Sequence, residues 1–382
     1  MATHYANGKT TTSGLVFMYD TIDKENCYKG EPTTNLVDYS EYQYLADNYT
    51  AALGGWDTFE GNFLIDVINK VPGYTNRSIK MTSVQANVYK YHFNVPLTSG
   101  QTYTVSFWGK ATSAGNYGNF LLADGPSGYL VFEPGGYSSV TTEFTRFTYT
   151  FVVPSTGTYN FATYLYGDGQ VVWLSGFQLE NKSHATQYLP SNGAATLRSA
   201  TQALKDLTNT TEIDISNVSF DANAQMLWDG TDDLIDITTN FGTLSAYTFE
   251  YVSYSNSAGN MPVASRTSTA FYKYGAYSWR YTHGGVGDEF YHTYGADTGW
   301  AHWVITYDGS VITVYENNVS KGTKASSGTA DFSGGIRIGS WASSASYTWD
   351  GQIPIIKMYN RALTQTEITQ NYNSYKSRFN LA

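Results

Sequence analysis

WAHWVITYDGSVITVYENNV, residues 300–319, is the stretch that decides the fold. Trp303, Ile305 and Tyr307 share one parity of an extended run, while Val304 and Thr306 share the other. Asp308-Gly309 follows, then a second β-rich run over 311–315, then a further turn at Asn317-Asn318. An Asp-Gly step between β-branched and aromatic runs is a strong hairpin signal, because glycine accepts the positive φ that such turns require. Apolar residues occupy both parities, so the hairpin is expected to be covered on both sides, as in the middle of a β-sandwich.

Several pieces surround it in a fixed order. Upstream lies DGTDDLIDI at 229–237; downstream lie IRIG at 336–339, WDGQI at 349–353 and MYNRALTQTEI at 358–368. In this order the set resembles laminin-G-like, concanavalin-A-like jelly rolls, in which a tryptophan-led strand turns at Asp-Gly and a Tyr-x-Asn-Asn strand follows. GLVFMYD at 14–20 resembles the opening strand of the same family. The family's next segment does not follow it; the pattern resumes only after Ser191, through LKDLTN at 204–209 and VSFD at 218–221.

What intervenes is a second β-rich unit. Tyr103, Val105 and Phe107 alternate along TYTVSFWGK, residues 102–110, and 144–153 and 171–180 read as further strands. The unit closes on Gln178-Leu179-Glu180, Ala185-Thr186, Tyr188 and Pro190-Ser191. It resembles carbohydrate-binding-module-like jelly rolls, particularly those of bacteriophage structural proteins. The expected fold is therefore all-β, with two jelly-roll β-sandwiches, the first inserted into the second, and a short C-terminal helix. The expected domains are an N-terminal arm over 1–13, a laminin-G-like sandwich formed by 14–32 plus 192–382, and an inserted module over 33–191. The arm is small and polar, and reads either as a loose tail or as a segment that orders on a partner. The helix starts at Thr364, where Glu367 three residues on completes a capping box, and Ile368, Tyr372 and Tyr375 give it an apolar edge.

Composition agrees with this plan. The 382 residues suit two domains, and 36 glycines with 16% aromatic and only 14% charged residues suit short strands and frequent turns. A net charge of −10 without a basic cluster gives nucleic acid no electrostatic footing. Cys27 is the single cysteine, so no intramolecular disulfide is formed. The first residues lack the basic start and apolar stretch of a secretory signal, and no apolar run approaches the roughly 18 residues of a membrane span.

Catalytic chemistry finds little support. Glucanases of concanavalin-A-like fold carry Glu-x-Asp-x-Glu on a strand; Glu212-Ile213-Asp214-Ile215-Ser216 begins that way but ends on serine. The six histidines form no metal spacing, and no nucleophile elbow or phosphate loop is present. No catalytic residue is assigned. Asp229, Asp232 and Asp233, with Asp236, are the densest acidic group; they read as a turn whose carboxylates bind backbone N–H groups, or as oxygen ligands for calcium, with no cofactor required. The aromatic run 271–294 offers Tyr272, Tyr274, Tyr277, Trp279, Tyr281, Tyr291 and Tyr294 as contacts for a glycan or a protein partner, although strand alternation would turn some of them inward.

The resemblances imply a non-enzymatic phage structural protein at the virion surface, of capsid-decoration or head-fibre type. It would be synthesised in the host cytoplasm and adhere to glycans or to the host surface. Its expected partners are other virion proteins of capsid or tail, further copies of itself in a homo-oligomer, and cell-surface glycans, without nucleic acid or membrane insertion. Alternatives are a tail-fibre or receptor-binding adhesin, a secreted glycan-binding lectin and, last, a glycosidase. The chain lacks the heptads of a fibre shaft.

Overall fold

The computed structural model of the chain describes residues 4–5, 8–43, 45, 50–52, 61–84, 88–131, 139–256, 263–265, 270–274, 278–282, 299–340 and 348–381. The fold is all-β with a C-terminal helix, and its residues group into two compact units. One comprises 1–32, 199–221 and 225–382; the other comprises 33–198 with 222–224.

The first unit is a sandwich. Its larger sheet runs in the order Ser219–Phe220, Met226–Asp229, Asp350–Tyr359, Tyr247–Ser255, Gly299–Tyr307, Val311–Glu316 and Val319–Ala325. Leu15–Asp20 joins it by pairing antiparallel with Asp350–Tyr359, Tyr19 opposite Ile356. Segments from before and after the inserted residues thus share one strand, since Met226–Asp229 pairs with the start of Asp350–Tyr359 and Leu15–Asp20 with its remainder. The second sheet runs Ile235–Ile237, Ile336–Ile338, Val263–Ser265, Ala270–Tyr274 and Ser278–Thr282. Phe17, Trp228, Tyr251, Trp303, Ile305 and Met358 from the first sheet meet Ile235, Ile237, Val263, Ile336 and Ile338 from the second in one core.

The 300–319 hairpin forms as its turn chemistry requires. Gly309 takes φ +99°, and Asp308 Oδ1 accepts the N–H groups of Ser310 at 2.9 Å and Val311 at 2.7 Å. Asn317 and Asn318 both adopt left-handed φ, 46° and 68°, as a tight second turn demands. Both faces of the hairpin are covered. Trp303, Ile305 and Tyr307 enter the sandwich core, whereas Val304 lies under the C-terminal helix with Ile368 and Leu363.

The second unit sets a sheet of Gly128–Val131, Gly118–Gly125, Gly157–Leu165 and Val88–Leu97 against one of Thr145–Val152, Thr102–Ala111, Val171–Glu180, Ser78–Ser83, Gly61–Asp66 and Thr50–Ala52. Its core is aromatic: Phe107 stacks between Phe147 and Phe177, each at a ring separation of 5.4 Å. The closing run 178–191 is a polar staple. Buried Glu180 accepts the hydroxyls of Thr33 at 2.7 Å and Thr186 at 2.6 Å, and Gln178 Oε1 accepts the N–H of Leu189. Asn35 donates to the carbonyls of Phe177 and Leu189. The first and last residues of the unit are thereby held side by side.

Two boundaries differ from the sequence reading. The inserted unit extends past Ser191 to Arg198, because Thr196–Arg198 pairs with Thr33–Asn35. The 1–13 segment ends in packed structure: Thr10 and Thr11 are buried, and Thr11 N–H donates to Asn371 Oδ1 at 2.8 Å. Cys27 is buried as well, and burial pushes its thiol up to about 12, so it stays protonated and inert near neutral pH. Replacing Phe17, fully buried on the strand before the insertion, by alanine is expected to destabilise the first unit by about 3–5 kcal/mol in equilibrium denaturation.

Candidate functional site

Asp229, Asp232 and Asp233 bring carboxylate oxygens within 4.8 Å of one another. The buried Asp233 uses both oxygens on backbone, Oδ1 taking Ser219 N–H at 2.7 Å and Oδ2 taking Asp229 N–H at 2.6 Å. Asp229 Oδ1 in turn takes Thr231 N–H at 2.8 Å, and Gly230 carries the positive φ of the turn. Burial, with the Asp229 charge adding to it, holds Asp233 above the ordinary carboxyl range. These bonds organise the turn into the Ile235–Ile237 strand. Asp236 stands apart, paired with Arg337 at 3.2 Å.

Of the aromatic contacts expected from sequence, Tyr277, Tyr291 and Tyr294 lie outside the described residues. Tyr272, Tyr274, Trp279 and Tyr281 are described through their backbone, which forms a hairpin with Tyr272 opposite Arg280 and Phe271 opposite Tyr281.

The helix Gln365–Phe379 lies on the outer face of the larger sheet. Thr364 and Glu367 form the capping box, and Glu367 also pairs with Arg361 at 2.6 Å; that ion pair holds its carboxyl at about 2. Ile368, Tyr372, Tyr375 and Phe379 face inward. Under them, strand register sets Glu250 opposite Lys357. Both are fully buried, 3.8 Å apart. Glu250 Oε1 bonds His302 Nε2 at 2.9 Å, while Oε2 accepts from Asn371 Nδ2 at 2.6 Å and Tyr359 Oη at 3.2 Å. Lys357 Nζ has no hydrogen-bond partner but sits 4.8 Å from the centre of the Tyr375 ring. One carboxylate therefore ties three strands to the helix, and through Asn371 to Thr11.

Burial alone would raise Glu250; Lys357, with the hydrogen bonds of His302 and Asn371, outweighs it and holds the carboxyl below its usual range. A depressed carboxyl contributes stability that is present above its unfolded value near 4.5 and lost as pH falls through the folded value. Burial pushes Lys357 below its usual range, so its unfavourable charged form is relieved as pH rises toward about 10.5. Glu250→Gln is expected to cost about 3–5 kcal/mol near neutral pH by stranding a buried ammonium. In denaturation measured against pH, the variant should show a smaller acid-side loss than the wild type, because the share due to Glu250 is gone while that of Glu367 remains, and its deficit should shrink on the alkaline side.

Where this helix ends, a groove of about 380 Å³ opens against the ends of three strands. Trp300 forms one wall, in contact with Phe379 at 4.8 Å and Tyr254 at 5.4 Å. Gln225, Gln352 and Asn380 contribute amides, and Ile22, 44% exposed, forms a lip. Arg378 also lines it, its guanidinium donating to Asp20 at 2.8 Å. Sequence reading placed none of these residues in a site, because they come from five separate stretches of chain.

Comparison with known proteins bears on the fold. A family model of laminin-G type, described as the concanavalin A-like lectin/glucanases superfamily, matches residues 229–369. The first unit has the jelly-roll β-sandwich fold, and residues 229–369 within it match this family model. No curated protein sequence matches the chain significantly. Among solved structures, the chain is similar to domain 4 of AbnA, an extracellular arabinanase of Geobacillus stearothermophilus, at 13% identity over 46% of this chain and 93% of that one, with a TM-score of 0.35. It is also similar to the binding domain of botulinum neurotoxin serotype G, at 14% identity over 45% of this chain and 48% of that one, with a TM-score of 0.37. The match spans about half the length of the neurotoxin binding domains.

Proposed function

We propose that the chain is a non-catalytic adhesin that recognises glycans through its concanavalin-A-like unit and is displayed on the surface of a phage particle. The groove beside the helix carries the recognition reading: an aromatic wall and several side-chain amides open together on a framework of the lectin and glucanase superfamily. Aromatic faces cover the apolar side of a sugar ring, and a few placed polar groups meet its hydroxyls. Binding is favoured over hydrolysis by the acidic run at 212–216. Glu212 and Asp214 are exposed, alternating with buried Ile213 and Ile215, and Asp214 Oδ1 accepts the N–H of Ser216. Serine stands where a second glutamate would supply the acid/base partner of a retaining hydrolase. The virion setting rests on the resemblance of 33–191 to phage modules, whose closing run is the polar staple described above.

On a glycan array the purified full-length chain is expected to retain a subset of glycans and to release no reducing sugar from them. Mass spectrometry and imaging of purified particles should find the chain at their surface. A chain that binds no glycan, or that cleaves one, contradicts the adhesin reading; absence from particles contradicts the virion setting.

A further inference from the structure

The charges around the groove cancel. Arg378 is the only ionisable side chain among its described lining residues, and its partner Asp20 is fully buried, with Oδ1 taking the guanidinium and Oδ2 making no hydrogen bond. The guanidinium is further fixed over the rings of Phe379 and Tyr375, at 5.6 and 5.9 Å. At the rim, Lys24 donates to Gln225 Oε1 at 3.0 Å, and Asp221 accepts the Gln225 N–H at 2.9 Å. Arg378 is thus paired with Asp20, and the Lys24 ammonium at the rim lies in the field of Asp20 and Asp221. An anionic ligand that reached Arg378 would also meet the field of Asp20, and a cationic one would find no carboxylate in the described lining. What remains available is an aromatic wall at Trp300 and the amides of Gln352 and Asn380, with Asn380 held in left-handed backbone by its N–H bond to the Lys376 carbonyl.

Resting on the recognition reading above, we infer that this groove takes the end of a short uncharged saccharide, one ring against Trp300 and its hydroxyls on Gln352 and Asn380. A groove of about 380 Å³ lies near the lower end of the roughly 300–1,000 Å³ typical of small-ligand sites, which suits a chain end rather than a long polymer. Asp20 is then a specificity-determining residue: it never touches the ligand, yet it neutralises the one cation in the described lining, which would otherwise select acidic sugars. The groove also depends on the helix, because Ser377, Arg378 and Phe379 form one of its walls.

The test uses the full-length chain and an array in which each neutral glycan is matched by a sialylated or uronic-acid-bearing counterpart; hits are then titrated by calorimetry. Neutral members are expected to bind, with their acidic counterparts no tighter. Trp300→Ala should weaken binding roughly tenfold or more. Because Trp300 also packs on Phe379, Gln352→Ala serves as a second variant and should weaken binding severalfold with an unchanged melting curve. Tighter binding of the acidic members, or neutral binding that survives both substitutions, overturns the inference and leaves the adhesin reading standing. A wild-type chain that binds no glycan overturns both.

Discussion

Leu15–Asp20 and Asp350–Tyr359 lie more than 300 residues apart in sequence, and the first unit depends on their pairing. The pairing inserts Phe17 and Tyr19 into the sandwich core and places Asp20 beside the end of the helix. It also explains how a chain can leave a sandwich after one strand, build a second β-unit and return. Such a long excursion adds little closure entropy, since that entropy grows only logarithmically with loop length. The inserted unit helps by closing on itself. Thr33–Asn35 pairs with Thr196–Arg198, and Glu180, Gln178 and Asn35 bind across the same junction.

A strand sandwiched between a core and a helix must be apolar on both faces, and the larger sheet breaks that rule at Glu250, His302 and Lys357. A buried ion pair of this kind contributes little net stability relative to apolar residues of the same shape, but breaking it is costly. Its effect is to fix where the helix rests. Asn371 can satisfy Glu250 only at one position along the sheet, and that position brings Arg378 to Asp20 and Phe379 to Trp300. The groove is therefore a consequence of the buried network rather than an independent feature of the surface.

Features set by local chemistry were legible in the sequence. Asp308-Gly309 and Asn317-Asn318 turn where expected, and Thr364 with Glu367 starts the helix. The split sandwich was legible because 14–20 and 229–368 belong to one strand pattern. The extension to Arg198 was missed, since a three-residue strand announces itself only through a partner far away in sequence. Burial of Thr10 and Thr11 was missed for a similar reason: small polar residues carry no periodic signal, and the place of Thr11 is set by Asn371 and Tyr359. A signal for the Glu250 network was present, as a glutamate and a lysine within otherwise β-rich runs, YTFEYV and PIIKMY. Both would be expensive in a strand covered on both faces unless paired. No comparable signal pointed to the groove, whose walls converge only in three dimensions.

The central claim is that one sandwich is divided in sequence around a guest unit, and excision measures it most directly. A chain in which Pro32 is joined to Ser199 through a short flexible linker should be compared with residues 199–382 alone, by urea denaturation and amide hydrogen exchange of Tyr247–Ser255. The excised chain is expected to unfold in a single cooperative transition with those amides protected, and residues 199–382 alone are expected to lose that protection. Equal stability and protection in the two would contradict the account.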